Sequence, residues 1–359
     1  MVQRTTSEVR VAQPGLGIAA SLVAIAISLG FISLFDFPSF AGDVTFFTLC
    51  LIPMQVMAVV LWGANPPFLA RMGQPVKGLA LLALTVAVAA IVFPLALAAA
   101  GEGVRPPGPI PAHFVIIAVP TTFYLCIIFG GWPFTTLFKN PVAAGLVTLI
   151  AAYVVTYVVF RLFFNYDFLQ GAPVYLASAP KGMFMGVMAM VFYVTVLAGM
   201  FFVIHFDLWP LTTQPGIMKQ PVLGIVWLVI SIVLAAIAFQ IGVVGMGTDP
   251  MIFLTRVTVP FIFGTIIVLN MLQNSLFAKM AQPVKGVANV IAAIVIGQVL
   301  AAVYGALAPT LTGALPSGPP GYEYEIWLAN ALLSVTFPCL IFLAAYFGFW
   351  PLAKSAAAK

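Results

Sequence analysis

Residues 74–99 read QPVKGLALLALTVAVAAIVFPLALAA. After Lys77 the stretch carries no charged side chain. As a helix, the run from Gly78 to Ala99 would reach about 33 Å, at roughly 1.5 Å per residue. A bilayer's hydrocarbon core is about 30 Å thick, so this segment is long enough to cross it. The polar Gln74-Pro75-Val76-Lys77 ahead of it reads as a helix start. Proline is tolerated in a first turn, where its missing N–H costs nothing.

Nine further runs of the same kind flank it. Together the ten fall at approximately 16–35, 44–63, 78–99, 111–131, 142–163, 182–205, 222–244, 250–272, 286–307 and 326–349. The chain has 359 residues, 63% of them hydrophobic and 6% charged. Soluble domains carry about 25% charged residues, so lipid must be the solvent. A bilayer admits only helices or closed barrels, and runs of this length exclude the short alternating strands of a barrel. The expected fold is an all-α polytopic membrane protein, one transmembrane domain over residues 1–359 in the plasma (inner) membrane.

Charge fixes an orientation. Arg4, Arg10, Arg71, Lys77, Lys139, Lys219, Lys279, Lys285, Lys354 and Lys359 fall on one side, and Arg105, Arg161 and Lys181 on the other. The positive-inside rule then places both termini in the cytoplasm. This distribution also accounts for the net charge of +5. No basic cluster exists to follow a nucleic acid. Residues 1–13 lack the short apolar region and cleavage site of a signal peptide. Cys50, Cys126 and Cys339 sit in apolar runs without CxxC spacing, so neither a disulfide nor a metal site is expected.

The chain repeats itself. Gln13-Pro14-Gly15-Leu16-Gly17, Gln74-Pro75-Val76-Lys77-Gly78, Asn140-Pro141 with Gly145, Gln220-Pro221-Val222-Leu223-Gly224 and Gln282-Pro283-Val284-Lys285-Gly286 open every odd-numbered span. Trp132-Pro133-Phe134, Trp209-Pro210-Leu211 and Trp350-Pro351-Leu352 close even-numbered ones. Tryptophan belongs at the membrane boundary, so these are start, stop and depth marks. The unit is a helical hairpin, giving five repeats at approximately 14–68, 75–134, 141–211, 221–277 and 283–352. Five similar hairpins pack compactly as a pseudo-five-fold ring, and a ring leaves an axis.

Proline separates the two helix sets. Even spans carry Pro53, Pro120, Pro260 and Pro338 in their interiors, and of the odd spans only the third has one, Pro94. Such prolines kink a helix and free a carbonyl, which in a membrane must face protein or a wet cavity. Gln55, Thr121, Thr122, Tyr124, Tyr193, Thr258 and Asn270 accompany them on the even spans. These residues either line a pathway or bond neighbouring helices. Arg256 lies inside the eighth span. A charge there is costly and a functional candidate. It is an anion attractor, or it snorkels outward, or it pairs with Asp249 or Glu325.

No HExxH, GxSxG or P-loop pattern occurs, and His113 and His205 lie at opposite faces. No catalytic residue, metal or cofactor is therefore expected. The five-hairpin organisation resembles the tellurite-resistance/dicarboxylate transporter and slow-anion-channel superfamily. That resemblance implies a central anion pore, trimeric assembly, and odd helices around the pore, whereas the prolines here point to the even ones. The leading expectation is a channel or passive transporter for a small anion or small polar solute, with the substrate pathway formed by the residues above. The same features fit a non-transporting subunit of a larger membrane complex, with partner subunits or further copies around it. A lipid- or quinone-acting enzyme would need a catalytic constellation that the sequence does not show.

Overall fold

A computed structural model of the chain describes residues 12–353; Arg4, Arg10, Lys354 and Lys359 lie outside them. Among the described residues ten helices are long and apolar enough to cross a membrane. They are α1 (Gly15–Ile32), α2 (Phe37–Val60), α3 (Val76–Gly101), α4 (Pro109–Ile128), α5 (Pro141–Phe163), α6 (Gly186–His205), α7 (Val222–Gly245), α8 (Pro250–Met271), α9 (Val284–Thr312) and α10 (Glu323–Tyr346). The only strands among the described residues, β1 (Phe164–Asn165) and β2 (Phe184–Met185), form a short parallel pair ahead of α6. The protein is therefore an all-α, multi-pass membrane protein. α2 starts earlier than hydropathy places it, because Asp36 accepts a hydrogen bond from the Ser39 amide and Pro38 sits in the first turn.

The helices divide into two sets. Over an 18-residue apolar window of each helix, between 61 and 72% of the residues are buried in α2, α4, α6, α8 and α10, against 22 to 44% in α1, α3, α5, α7 and α9. Each even helix packs against the next even one, and α10 packs back on α2, so these five surround a common interior. The odd helices lie outside them. α3 packs most extensively on α2, α5 on α4, α7 on α6, α9 on α8, and α1 on α10. Each outer helix thus leans on the inner helix before it in sequence, and the first helix closes on the last.

The glutamine–proline starts explain how these contacts are held. Gln74 Oε1 accepts from the Gly78 amide one turn on, and Gln74 Nε2 donates to the carbonyl of Tyr346, the last residue of α10. Gln13 does the same with Gly17 and Met271, the end of α8. Gln220 joins Gly224 to Ile128, the end of α4, and Gln282 joins Gly286 to His205, the end of α6. One amide therefore satisfies an orphan donor at one helix start and an orphan acceptor at another helix end. At the remaining start the roles differ: Asn140 caps the Val142 amide, and Trp62 Nε1 donates to Pro141 O at 3.0 Å. The motif glycines are small because an aromatic ring lies on them, Phe347 on Gly78, Phe129 on Gly224 and Phe206 on Gly286.

Polar side chains inside the spans hide their hydrogens. Ser21, Ser28, Thr85, Thr148, Thr156 and Ser231 each donate to the carbonyl four residues back. α8 and α9 meet backbone to backbone. A Cβ on Gly264 would collide with the carbonyl of Ala293, and one on Gly297 with the carbonyl of Pro260. A collision with backbone cannot be relieved by a rotamer change. Gly264→Ala or Gly297→Ala is expected to cost about 1–3 kcal/mol. The thermal unfolding midpoint of the detergent-solubilised protein measures this. Gly30→Ala, which meets nothing within 4 Å, should leave that midpoint unchanged.

On the same side as the glutamines, Asp207 Oδ2 accepts from Lys285 Nζ at 2.7 Å and from Gln282 Nε2 at 2.8 Å. Partial burial pushes the carboxyl up, but these two bonds outweigh it and hold Asp207 below the usual carboxylate range. The folded state thus favours the ionised form. Its stabilisation is complete above the ordinary value of about 3.9 and is lost as pH falls through the lowered one. Asp207→Asn should lower the midpoint at pH 7 and narrow the difference between the midpoints at pH 7 and pH 3.

Candidate functional site

The five inner helices enclose a cavity of about 690 Å³. Every inner helix contributes to its wall: Phe37, Leu49 and Ile52 from α2, His113, Val119 and Phe123 from α4, Met190, Leu197 and Phe201 from α6, Leu254 and Ile266 from α8, and Asn330 and Phe337 from α10. It opens at the end where these helices begin, between Pro106–Pro109, the loop carrying Tyr166 and Phe168, and Pro320–Glu323. Along α2 it runs from the first residue, Phe37, to Ile52, well past the middle of that helix. There Ile52, Phe123, Phe201, Ile266 and Phe337, one from each inner helix, form an apolar floor. The Phe123 ring stands edge-on to Phe201 at 5.4 Å and lies 6.1 Å from Phe337, which fills the centre with aromatic carbon.

The wall is apolar with a few polar groups near the mouth. His113 is only 8% exposed, and its Nδ1 meets the Tyr166 hydroxyl at 2.9 Å. The Asn330 side-chain amide has no hydrogen-bond partner among the described residues, and Thr45 turns its hydroxyl back to Phe40 O. Tyr322 donates to Asp249 Oδ2 at 2.7 Å across the mouth. This bond, then burial and the charge of Asp249, pushes its phenol up to about 12. The Asp249 carboxylate also caps the Met251 and Ile252 amides at the start of α8. Among the described residues no lysine or arginine lines the cavity, and Glu323 at the mouth is its only carboxylate.

None of the polar residues picked out from the sequence lines this cavity. Five of them join one inner helix to another. Thr121 meets the Tyr193 hydroxyl at 2.9 Å, and Tyr124 donates to Tyr193 O, joining α4 to α6. Gln55 donates to Pro338 O between α2 and α10, and Thr258 meets Thr195 at 3.2 Å between α8 and α6. Thr122 donates to Ala118 O within its own helix, and Asn270 is half-buried near the end of α8. Of the kink prolines, Pro120 lines the cavity, whereas Pro53, Pro260 and Pro338 do not.

Arg256 is exposed on the outside of α8 and forms no ion pair among the described residues. Asp249 is occupied as described, and Glu325 accepts from Ser317 and from the Gly318 amide. The structure therefore places the one mid-span arginine away from the cavity and from both acids expected to pair with it. Gln298 on α9 donates at 2.7 Å to the Arg256 carbonyl. That carbonyl is the group that Pro260 deprives of its helical partner.

A second, shallower groove of about 440 Å³ lies on the lipid-facing side, lined by Phe31, Phe47 and Phe93. The Arg105–Asp43 pair, at 3.0 Å and exposed, stands at its edge, with the guanidinium over the Phe93 ring. Among the described residues no group of three or more metal-ligating side chains occurs. Comparison with protein families, curated proteins and solved structures finds no match to this chain.

The residues that sequence reading missed are the apolar ones on the interior face, such as Leu49, Ile52, Val194 and Leu197. Their helical spacing was present in the sequence, but the same spacing marks a lipid-facing stripe. For His113 the sequence shows only that it lies near one membrane face. The Tyr322–Asp249 bond ties the segment before α10 to α8. Tyr322→Phe should raise hydrogen exchange of amides 317–324 severalfold while leaving α8 protected, as read by mass spectrometry of the protein in nanodiscs.

Proposed function

We propose that the protein is a passive transporter or channel for a small uncharged solute, with its path along the axis enclosed by α2, α4, α6, α8 and α10. The observation that carries this reading is the cavity walled by all five inner helices, open at one face and closed past the middle of α2 by one apolar layer. In this reading the five hairpins are repeats of one pseudo-five-fold unit, which the recurring glutamine bonds support. Both termini lie in the cytoplasm of a cell whose plasma membrane holds the protein, so the cavity opens outward. The basic residues Arg71, Lys77, Lys219, Lys279 and Lys285 on the opposite side support this orientation.

The wall chemistry argues against an anion as the solute. A charge moved into an apolar cavity loses hydration at a cost of several kcal/mol unless a partner replaces it. No cationic side chain among the described residues lines the wall to do so, and the fixed charge at the mouth is that of Glu323. An uncharged solute avoids the penalty. The floor is the barrier to passage, because the rings of Phe123, Phe201 and Phe337 pack together there.

Flux into proteoliposomes tests the reading. Uncharged solutes such as glycerol, urea and short alcohols of graded size are expected to enter faster than into empty vesicles, and chloride or nitrate are not. The double variant Phe123→Ala, Phe337→Ala removes two floor rings and should raise uptake severalfold. Folded protein that admits no solute in either form would leave the cavity a binding site without transport.

A further inference from the structure

The cavity wall is divided by depth in a way that specifies a ligand. Its free polar groups lie in the upper part. His113 stands one turn below Pro109 at the start of α4, and Asn330 lies in the first turns of α10. Below His113 the α4 face continues with Ile116, Val119 and Phe123, apolar down to the floor. α6 faces it with Met190, Val194 and Leu197, none of which carries a nitrogen or oxygen in its side chain.

His113 is not a packed core histidine. Its Nδ1 is engaged by Tyr166, whose ring is held against Phe160, while its Nε2 has no partner among the described residues. Nε2 is also not among the sealed polar atoms of the interior, so it faces the cavity. A ring nitrogen that faces the cavity with no protein partner is free to bond a ligand atom at hydrogen-bond distance. The Tyr166 hydroxyl can donate to Nδ1 or accept from it, so Nε2 is left either to accept from a ligand hydroxyl or to donate to a ligand carbonyl.

Resting on the reading of this cavity as the solute site, we propose that it binds a neutral amphiphile. Its single hydroxyl or carbonyl head hydrogen-bonds His113 Nε2, with the Asn330 amide as a second polar contact, and its apolar body extends down to the Phe123–Phe201–Phe337 floor. A carboxylate head would meet no cation on the wall and would face Glu323. A quaternary ammonium could neither donate to the ring nitrogen nor accept from it.

Photolabelling tests the assignment independently of flux. The probes are three decyl diazirines that differ only in their heads, a hydroxyl, a carboxylate and a trimethylammonium, added to the protein in nanodiscs. The hydroxyl probe is expected to label α6 between Val187 and Phe201 and to be displaced by excess unlabelled decanol. The two charged probes should label these residues at least severalfold less. His113→Phe and Tyr166→Phe should each weaken the hydroxyl labelling, and His113→Gln, which keeps a hydrogen-bonding group, should restore part of it. Protease resistance of each variant confirms that it is folded. Labelling confined to lipid-facing residues such as Leu22 and Ile150, or labelling of the cavity that ignores head group and both variants, overturns the proposal. Cavity labelling of the expected pattern with no flux of any solute would instead overturn transport and keep the ligand assignment.

Discussion

In a bilayer the ends of a helix are its most expensive part, because the last carbonyls and first amides have no intrahelical partner and water reaches them poorly. This protein meets that constraint with one side chain used four times. Gln13, Gln74, Gln220 and Gln282 each accept from the glycine amide of their own helix and donate to the terminal carbonyl of an inner helix from a different hairpin. The bonds connect outer helices α1, α3, α7 and α9 to inner helices α8, α10, α4 and α6. The outer helices are thereby fixed in register against inner helices that they do not directly follow in sequence. The glycine that completes each motif lets an aromatic ring or a backbone carbonyl settle on the helix start.

The inner set opens at its other end. There the proline-rich segments 106–109 and 319–320 and the Tyr166 loop rim an open mouth, and the inner helices enclose a cavity down to one apolar layer. π-helical turns accompany this shape. Those at Leu254–Thr258 and Ala331–Thr336 lie directly ahead of Pro260 and Pro338, and the one at Tyr124–Ile128 follows Pro120. Each widens the helix close to where proline has removed a regular bond, and such turns are frequent at functional sites. Gln55, Thr121 and Thr258 on the inner helices bond one inner helix to the next. The cavity is left with apolar carbon and, near its mouth, a few uncharged hydrogen-bonding groups and the Glu323 carboxylate.

Among the described residues the cavity wall holds no cation. Arg256, the most conspicuous residue of the sequence, is exposed on the outside of α8, and its backbone carbonyl is what the neighbouring helix uses. A mid-span arginine is costly only if it cannot reach polar surroundings, and a long side chain on an outward face can extend toward them.

The sequence by itself determined the solvent, the secondary structure and the number of spans. Each follows from runs of some twenty apolar residues and from where proline, glutamine and tryptophan interrupt them, which are local properties. It also exposed the recurrence, since Gln282-Pro283-Val284-Lys285-Gly286 repeats Gln74-Pro75-Val76-Lys77-Gly78 residue for residue. Only the tertiary structure decided which face of each inner helix looks at the axis. Leu49 and Ile52 against the interior and Leu22 and Val23 against lipid have the same chemistry, so hydropathy cannot separate them. A buried threonine likewise reads the same in sequence whether it lines a cavity or joins two helices. The partner across the gap settles that difference, and the partner of Thr121 is Tyr193, 72 residues away.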